Sequence, residues 1–387
     1  MEVKKFESCF LHLGVDGFLR IALGIGLNNL PALADEVTGR LSLLSGRWEH
    51  VVEVVLSPLL LNDKKSPYPN LIWAQAEITP PRIRFCDYHI SLQVGEKTFY
   101  GIKRAGWRDR DCLLHCFKKH LHFLINSKRD DSNALRLLNK SQPRLALHLW
   151  HQEIGIQLLN ATPFPPAWSE LVLLVPDNLP SKEVLYNTKR VADNLGFRRT
   201  VLLPVPAKGR DIGGLVSLLL HLLNCDEEDQ RPCLFLHTKN SAHLPDLISR
   251  TWREMLLSRI LMRKSYLASA LRYLQFEKYA IVASRDVRRL EKSDNGRDSL
   301  PHRSAELASQ IYWQLFRQKT ESFEFCAGTM MWFVPRRIAK AWTISRLVAI
   351  LENLEDSAEL CEPSWAHAFE RLFPSAVANA GGNVLFI

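Results

Sequence analysis

Two kinds of segment alternate along the chain from Leu145 onward: short, uniformly apolar runs, and longer segments in which apolar residues recur every three or four positions. Uniform runs are typical of strands buried on both faces, and the longer periodicity is typical of helices. Strands are predicted over Leu145–Trp150, Leu171–Val175, Thr200–Val205, Cys233–His237 and Ala280–Ala283, and helices over Ser181–Leu195, Ile212–Leu223 and Leu247–Met262. This alternation predicts an α/β fold with a mostly parallel sheet flanked by helices.

The first 140 residues follow a different pattern. An apolar segment up to about Val37 predicts a helical opening, whereas alternation of apolar and polar positions in Trp48–Val55 and Ile83–Val94 predicts strands. A further helix is predicted over Asp111–Ile125. The mixture indicates a smaller α+β domain in the N-terminal part of the chain.

The polar stretch Asn126–Pro143 is typical of a linker. The chain has 387 residues, which exceeds the usual size of a single hydrophobic core. We therefore predict two domains: an N-terminal one over residues 1–140, to which the sequence assigns no role, and a C-terminal one over residues 141–387.

The net charge and the cysteines indicate which classes of partner and which cellular compartment to expect. A formal net charge of +9 and a pI of about 9.1 favour anionic partners. Nucleic acid is not expected, because the basic residues occur as scattered pairs and no recognised nucleic-acid module is present. The cysteines lie mostly within apolar runs, which indicates free thiols in a reducing compartment. No apolar run is long enough to span a bilayer, so we expect a cytoplasmic protein, soluble or peripheral at the inner membrane face.

The first candidate motif is Gly209-Arg210-Asp211, between a predicted strand and a predicted helix. A glycine lets backbone amides approach a ligand, a helix start presents N–H groups to an anion, and arginine binds phosphate or ribose hydroxyls with a planar fork. The simpler alternative is that Asp211 caps the helix while Arg210 is solvated. The same tripeptide at Gly296-Arg297-Asp298 lies in a charged loop with no strand before it. The prediction of a binding site at residues 209–211 therefore depends on their place between a strand and a helix.

The second motif, His237-Thr238-Lys239, lies where the predicted strand Cys233–His237 ends. Ligands of parallel sheets bind beyond the carboxyl ends of the strands. An imidazole and an ammonium group there could neutralise a diphosphate directly, so the sequence requires no divalent metal at this point. The alternative is that His237 and Lys239 are ordinary surface residues.

Two further blocks lie near the end of the chain. In Ala327-Gly328-Thr329-Met330-Met331-Trp332, small residues precede bulky ones, which lets a backbone approach a ligand, although the block by itself is more typical of a core strand. In His367-Ala368-Phe369-Glu370-Arg371, the spacing puts three polar side chains on one helical face, where they could hold acceptor hydroxyls and supply a general base. A solvated pair of His367 and Glu370 is the alternative.

Taken in this order, the four blocks resemble the rhamnan synthesis protein F family, whose members carry Gly-Arg-Asp after a strand, His-Thr-Lys-x-Ser, Ala-Gly-Thr-Met-x-Trp and His-Ala-x-Glu-Arg-Leu. The resemblance covers about residues 144–374. The chain departs from the family pattern at Pro206-Ala207-Lys208, where an asparagine is frequent, and at Asn240, where a lysine is common. The resemblance implies a GT-A-like fold and a glycosyltransferase that assembles bacterial cell-surface polysaccharide.

The resemblance also implies roles for individual residues. The donor would be a nucleotide-diphosphate sugar, by analogy that of L-rhamnose, and the acceptor a growing or lipid-linked glycan. Glu370, His367 and Lys239 would be catalytic in an inverting transfer that needs no cofactor and for which the sequence requires no divalent metal. Donor binding would involve Gly209, Arg210, Asp211, His237, Thr238 and Lys239, and acceptor binding Gly328, Thr329, Trp332, His367 and Arg371.

Two other hypotheses stay open at this point. The chain could be a non-catalytic partner in polysaccharide assembly that keeps the fold for binding glycan. In addition, a basic N-terminal domain could bind an anionic membrane surface, which is compatible with either role.

Overall fold

The computed structural model describes residues 131–387 except 180, 226–228, 239–245, 293–299, 321 and 358–362, and, before residue 131, the strands of one sheet. Contacts divide the chain into two compact units. The first comprises Met1–Ser127 and Ser241–Glu254, and the second comprises Lys128–Asn240 and Met255–Ile387. Within the described residues, no helix is long and apolar enough to cross a lipid bilayer.

The first unit contains an eight-stranded sheet in the order β1-β8-β7-β4-β5-β6-β3-β2. Its neighbouring strands are antiparallel, except that β1 and β8 are parallel. Ile21, Leu23 and Ile25 of β3 are all buried, and they lie two residues apart, so one face of the sheet covers a core. The strands are β1 (Val3–Lys5), β2 (Ser8–Leu13), β3 (Leu19–Gly26), β4 (Val37–Ser45), β5 (Trp48–Pro58), β6 (Leu71–Ile78), β7 (Tyr88–Val94) and β8 (Lys97–Lys103).

The predicted helical opening of the first unit is wrong, because β2 and β3 occupy it. A continuous apolar run does not distinguish a buried helix from a strand, and Gly24 and Gly26 weaken a helix. The strand predicted over Trp48–Val55 is confirmed, and that over Ile83–Val94 is confirmed from Tyr88 onward. The helix predicted over Asp111–Ile125 lies outside the described residues.

The second unit begins with a helix where a linker was predicted. Residues 131–141 form α1, with Ala134, Leu137 and Leu138 buried. These three residues recur at helical spacing, and their burial stabilises the helix although its other positions are polar. The polar composition of Asn126–Pro143 therefore reflects one solvated helix face over residues 131–141.

The main sheet of the second unit has seven strands in the order β11-β10-β9-β12-β16-β13-β17. All of them run in the same direction except β16, which is antiparallel to both neighbours. The predicted α/β fold with a mostly parallel sheet is thus confirmed. The strands are β9 (Arg144–His148), β10 (Glu170–Pro176), β11 (Thr200–Val205), β12 (Cys233–His237), β13 (Tyr279–Ala283), β16 (Met331–Phe333) and β17 (Asn383–Phe386), and a separate pair is formed by β14 (Arg288–Lys292) and β15 (Ser322–Cys326).

The sheet is flanked by helices that agree with the predicted segments to within two residues where a helix was predicted. The run predicted over Leu247–Met262 is an α-helix followed by a π-helical turn at Ser258–Met262. After α1, the helices of the second unit are α2 (Gln152–Ala161), α3 (Lys182–Asn194), α4 (Asp211–Cys225), α6 (Lys264–Leu274), α7 (Leu300–Phe316), α8 (Pro335–Ala339), α9 (Ile344–Asn353) and α10 (Trp365–Asn379). The helix α5 (Asp246–Leu257) begins in the segment that belongs to the first unit.

The order of the strands determines where a ligand can bind. From β9 the chain moves outward through β10 to β11, and then returns to place β12 on the opposite side of β9. Connections that leave in opposite directions open a crevice beyond the carboxyl ends of the two central strands. In this sheet the crevice lies beyond β9 and β12, whose last residues are His148 and His237.

Candidate functional site

Two buried histidines end the central strands. His148 and His237 are register partners across the parallel pair β9 and β12, and only 6% and 2% of their surfaces are exposed. The pKa of His148 is lowered to about 4, chiefly by burial; the Asp211 carboxylate opposes this shift and the nearby His237 ring adds to it. His148 is therefore neutral at physiological pH.

His237 contacts two of the other sequence blocks. Its Nε2 lies 2.6 Å from the carbonyl oxygen of Gly328. A carbonyl only accepts, so Nε2 carries a proton and donates it in this bond. The same nitrogen lies 3.6 Å from Oδ2 of Asp211.

Asp211 is the first residue of α4, and it is almost completely buried. Its Oδ2 accepts a hydrogen bond of 2.9 Å from the Thr329 hydroxyl. A carboxylate at the start of a helix is stabilised by the helix dipole. Asp211 thus connects the first block to the third one, 118 residues later in the chain.

The turn at Gly328 and Thr329 joins all four blocks. Its Gly328 N–H donates to Oε1 of Glu370 at 2.6 Å, while the Gly328 carbonyl accepts from His237 and the Thr329 hydroxyl donates to Asp211. Both turn residues have positive φ, +88° and +55°. This conformation is unfavourable for a β-branched threonine, and such strain persists only where surrounding contacts impose it. One strained turn is therefore held by side chains from three distant segments.

The first block packs against the loop before α10. Gly209 has a φ of +58° and donates its N–H to the Glu355 carbonyl at 2.7 Å. Arg210 also has positive φ, and it bonds to Ser357 through its backbone N–H and through Nε. A Cβ at position 209 would lie 2.8 Å from a Leu354 methyl group, so this approach requires glycine. Arg210 is thus held by Ser357, whereas the simpler alternative expected its side chain to be solvated.

The fourth block lies at the start of α10, as its spacing predicted. Ser364 caps the helix by accepting from the His367 N–H at 3.2 Å, and its hydroxyl lies 2.7 Å from Nδ1 of the same residue. Arg371 is buried, with Nε donating to Glu291 at 2.7 Å and Nη1 donating to the His367 carbonyl at 2.8 Å. Glu370 is the member of this block that reaches the turn. The acceptor roles of His367 and Arg371 stay predictions.

Two of the predicted site residues, Thr238 and Trp332, are buried and bonded within the protein. Thr238 is fully buried, and its Oγ1 accepts from the Trp150 and His151 N–H groups, which fixes the loop after β9. Trp332 is also fully buried, donates from Nε1 to the Ile260 carbonyl and stacks on Trp168. It has no exposed surface to offer an acceptor in this conformation, and we assign it to packing. Lys239 lies outside the described residues.

The prediction of site residues from sequence did not include His148. The sequence shows a histidine near the end of an apolar strand, but it does not show that this histidine contacts Gly214. A Cβ at Gly214 would lie 2.4 Å from Cδ2 of His148, so α4 reaches the strand ends only because position 214 is glycine. The available signal in the sequence was His148 near the end of a predicted strand together with the pair Gly213-Gly214 in a predicted helix.

The described residues contain no group of three or more histidine, cysteine or carboxylate side chains arranged to hold a metal ion. The chain matches no model of a known protein family and no curated protein sequence.

Proposed function

We propose that the second unit is a glycosyltransferase that moves a sugar from a nucleotide diphosphate to a hydroxyl of a cell-surface or lipid-linked glycan. One observation carries this proposal: four blocks spread over residues 209–371 converge in one hydrogen-bonded network at the carboxyl end of the sheet. The resemblance of the same blocks to the rhamnan synthesis protein F family supports a GT-A-like fold and an L-rhamnose donor.

The proposed reaction is a single displacement. The oxygen of the acceptor hydroxyl forms a bond to the anomeric carbon, and the bond between that carbon and the diphosphate oxygen breaks. The diphosphate leaves with the electron pair, and the hydroxyl proton passes to Glu370. Arg210 and Asp211 bind the donor, and His237 and Lys239 stabilise the charge of the leaving group.

Donor binding is tested by thermal denaturation with nucleoside diphosphates and their sugars, each with magnesium or with EDTA. A ligand that binds only the native state raises the melting temperature. We expect a thymidine or uridine diphosphate to raise it in both series, and we expect Asp211→Asn to remove the shift. A shift that requires magnesium would disprove the metal-independent form of the proposal, and no shift with any nucleotide would disprove donor binding.

Catalysis is tested by turnover of the sugar nucleotide that binds. Loss of a general base slows transfer by about 10²–10⁴-fold, and we expect this from Glu370→Gln without loss of donor binding. Glu324→Gln is a matched control, since Glu324 pairs with Arg288 on the separate strand pair β14 and β15. Equal turnover in the wild type and Glu370→Gln would remove Glu370 from the mechanism.

A non-catalytic glycan-binding role is the second candidate, and one observation favours it. Asp211, His237 and Glu370 already bond to the turn at Gly328 and Thr329, as structural side chains do. Glycan binding without any nucleotide-induced shift in melting temperature would support this role instead.

A further inference from the structure

The opposite end of the main sheet contains a cavity of about 280 Å³. It lies at the amino ends of the parallel strands, where Arg144 begins β9 and Glu170 begins β10. The last turns of α4 complete its wall with His221 and Cys225. The cavity is therefore separated from the candidate donor site by the length of the strands.

Buried ions form one side of this cavity. Arg144, which is 5% exposed, donates to Glu170 through Nε and pairs with Asp229 through Nη1. Burial disfavours the charge on Arg144, but the bond to Glu170 and the charge of Asp229 outweigh it and raise the pKa of the guanidinium. The Arg231 guanidinium donates two further hydrogen bonds to the same Asp229 carboxylate, of 3.0 and 2.8 Å. The two carboxylates among the described lining residues are thus neutralised by arginines.

The remaining positive charge belongs to Arg199. Within the described part of the chain, no carboxylate pairs with its exposed side chain. Among the described residues that line the cavity, three guanidinium groups face two carboxylates, a surplus of one positive charge. The ion network lies beside an open cavity, so an anion from solvent can reach the surplus charge. A surplus of positive charge favours an anionic ligand.

The geometry points to a binding site for a phosphate group, supplied by inorganic phosphate or by a small phosphate monoester. Planar guanidinium groups match the oxygens of a phosphate with paired hydrogen bonds. The volume suits such a group and is smaller than the pockets that enclose drug-sized ligands. Arg199 and Arg231 contact the anion, while Arg144 keeps Glu170 and Asp229 neutralised. This site is independent of the proposed donor site.

Cys225 provides a local readout. Its thiol is exposed on the cavity wall, 3.8 Å from Nδ1 of His221. The experiment measures alkylation of Cys225 by N-ethylmaleimide in the folded, full-length chain, by mass spectrometry of the Cys225 peptide. Inorganic phosphate, glucose 6-phosphate and magnesium chloride are added separately at constant ionic strength. At a phosphate concentration ten times the dissociation constant, we expect alkylation to slow by about tenfold, because only the free protein reacts.

Neighbouring arginines provide matched variants. Arg199→Ala should abolish the protection, whereas Arg198→Ala should keep it, because Arg198 donates to the Pro166 carbonyl. Asp211→Asn should also keep it, which separates this site from the donor site. The proposal is overturned by unchanged alkylation together with no heat of phosphate binding in calorimetry, by equal protection in Arg199→Ala, or by protection with magnesium alone. A larger effect of glucose 6-phosphate than of phosphate would identify a monoester as the ligand.

Discussion

The two ends of the main sheet both bury charged side chains, but they satisfy them in different ways. At the amino end, Arg144 and Arg231 meet the carboxylates of Glu170 and Asp229, so opposite charges face one another directly. At the carboxyl end, His237 and Glu370 bond instead to backbone groups of a strained turn. Charge pairs of the first kind fix a structure, whereas bonds to a turn can be exchanged for bonds to a ligand. This contrast predicts different responses to substitution.

The largest effect is expected at the amino end, from Asp229→Ala. This change leaves Arg144 buried without one of its two carboxylates, and breaking a buried pair costs about 3–5 kcal/mol. Urea unfolding measures the loss. The control is Asp193→Ala, which breaks the exposed pair of Asp193 with Lys189 and should change the free energy of unfolding by less than about 1 kcal/mol. Equal losses in the two variants would contradict a special role for the buried network.

At the carboxyl end, Gly214→Ala tests the close approach of α4 to β9. The added Cβ would lie 2.4 Å from the His148 ring, and overpacking of this degree costs about 3 kcal/mol. In a double-mutant cycle, the cost should fall in the background of His148→Ala, because the clashing ring is absent. Additive losses in urea unfolding would show that the glycine is needed for another reason.

Acid should weaken the carboxyl end through His148. Its pKa is about 4 in the native protein and near 6.5 when the chain is unfolded, so only the unfolded chain binds a proton between these values. Stability is therefore lost as the pH falls, by about 2 kcal/mol from pH 6.5 to 5. Urea titrations of the wild type and His148→Asn test this. An equally steep pH dependence in the variant would assign the loss to other groups.

A smaller effect is expected at the turn itself, from Thr329→Val. The change removes the hydroxyl bond to Asp211 at nearly constant shape, which costs about 1 kcal/mol. Thr329→Ser keeps the hydroxyl and serves as the control. If both variants unfold at the same urea concentration, the bond to Asp211 contributes nothing measurable.

Local patterns were sufficient for five strands and three helices of the chain after Leu145. The strand at Thr200–Val205 has the predicted bounds because its apolar run is short and ends in turn residues. Prediction from these patterns failed where the same composition fits two kinds of secondary structure. The opening of the first unit is apolar in either a helix or a strand, and α1 looks like a linker because most of its positions are polar.

The sequence by itself also predicted that the four blocks belong to one site, through their order and through the strand end at His237. It did not predict what each residue contacts. The third block illustrates this: β15 ends at Cys326 in one sheet and β16 begins at Met331 in another, and the turn between them holds the residues that meet Asp211, His237 and Glu370.

Sequence alone therefore determined the central strands β9 to β13 and three of the helices, because local periodicity encodes them, and it predicted the end of the sheet where a ligand would bind. Only the tertiary structure decided which side chains are buried, which meet across more than a hundred residues, and that His148 lies beside Gly214. Such contacts depend on strand order and on the packing of α4 against β9, and no local pattern contains that information.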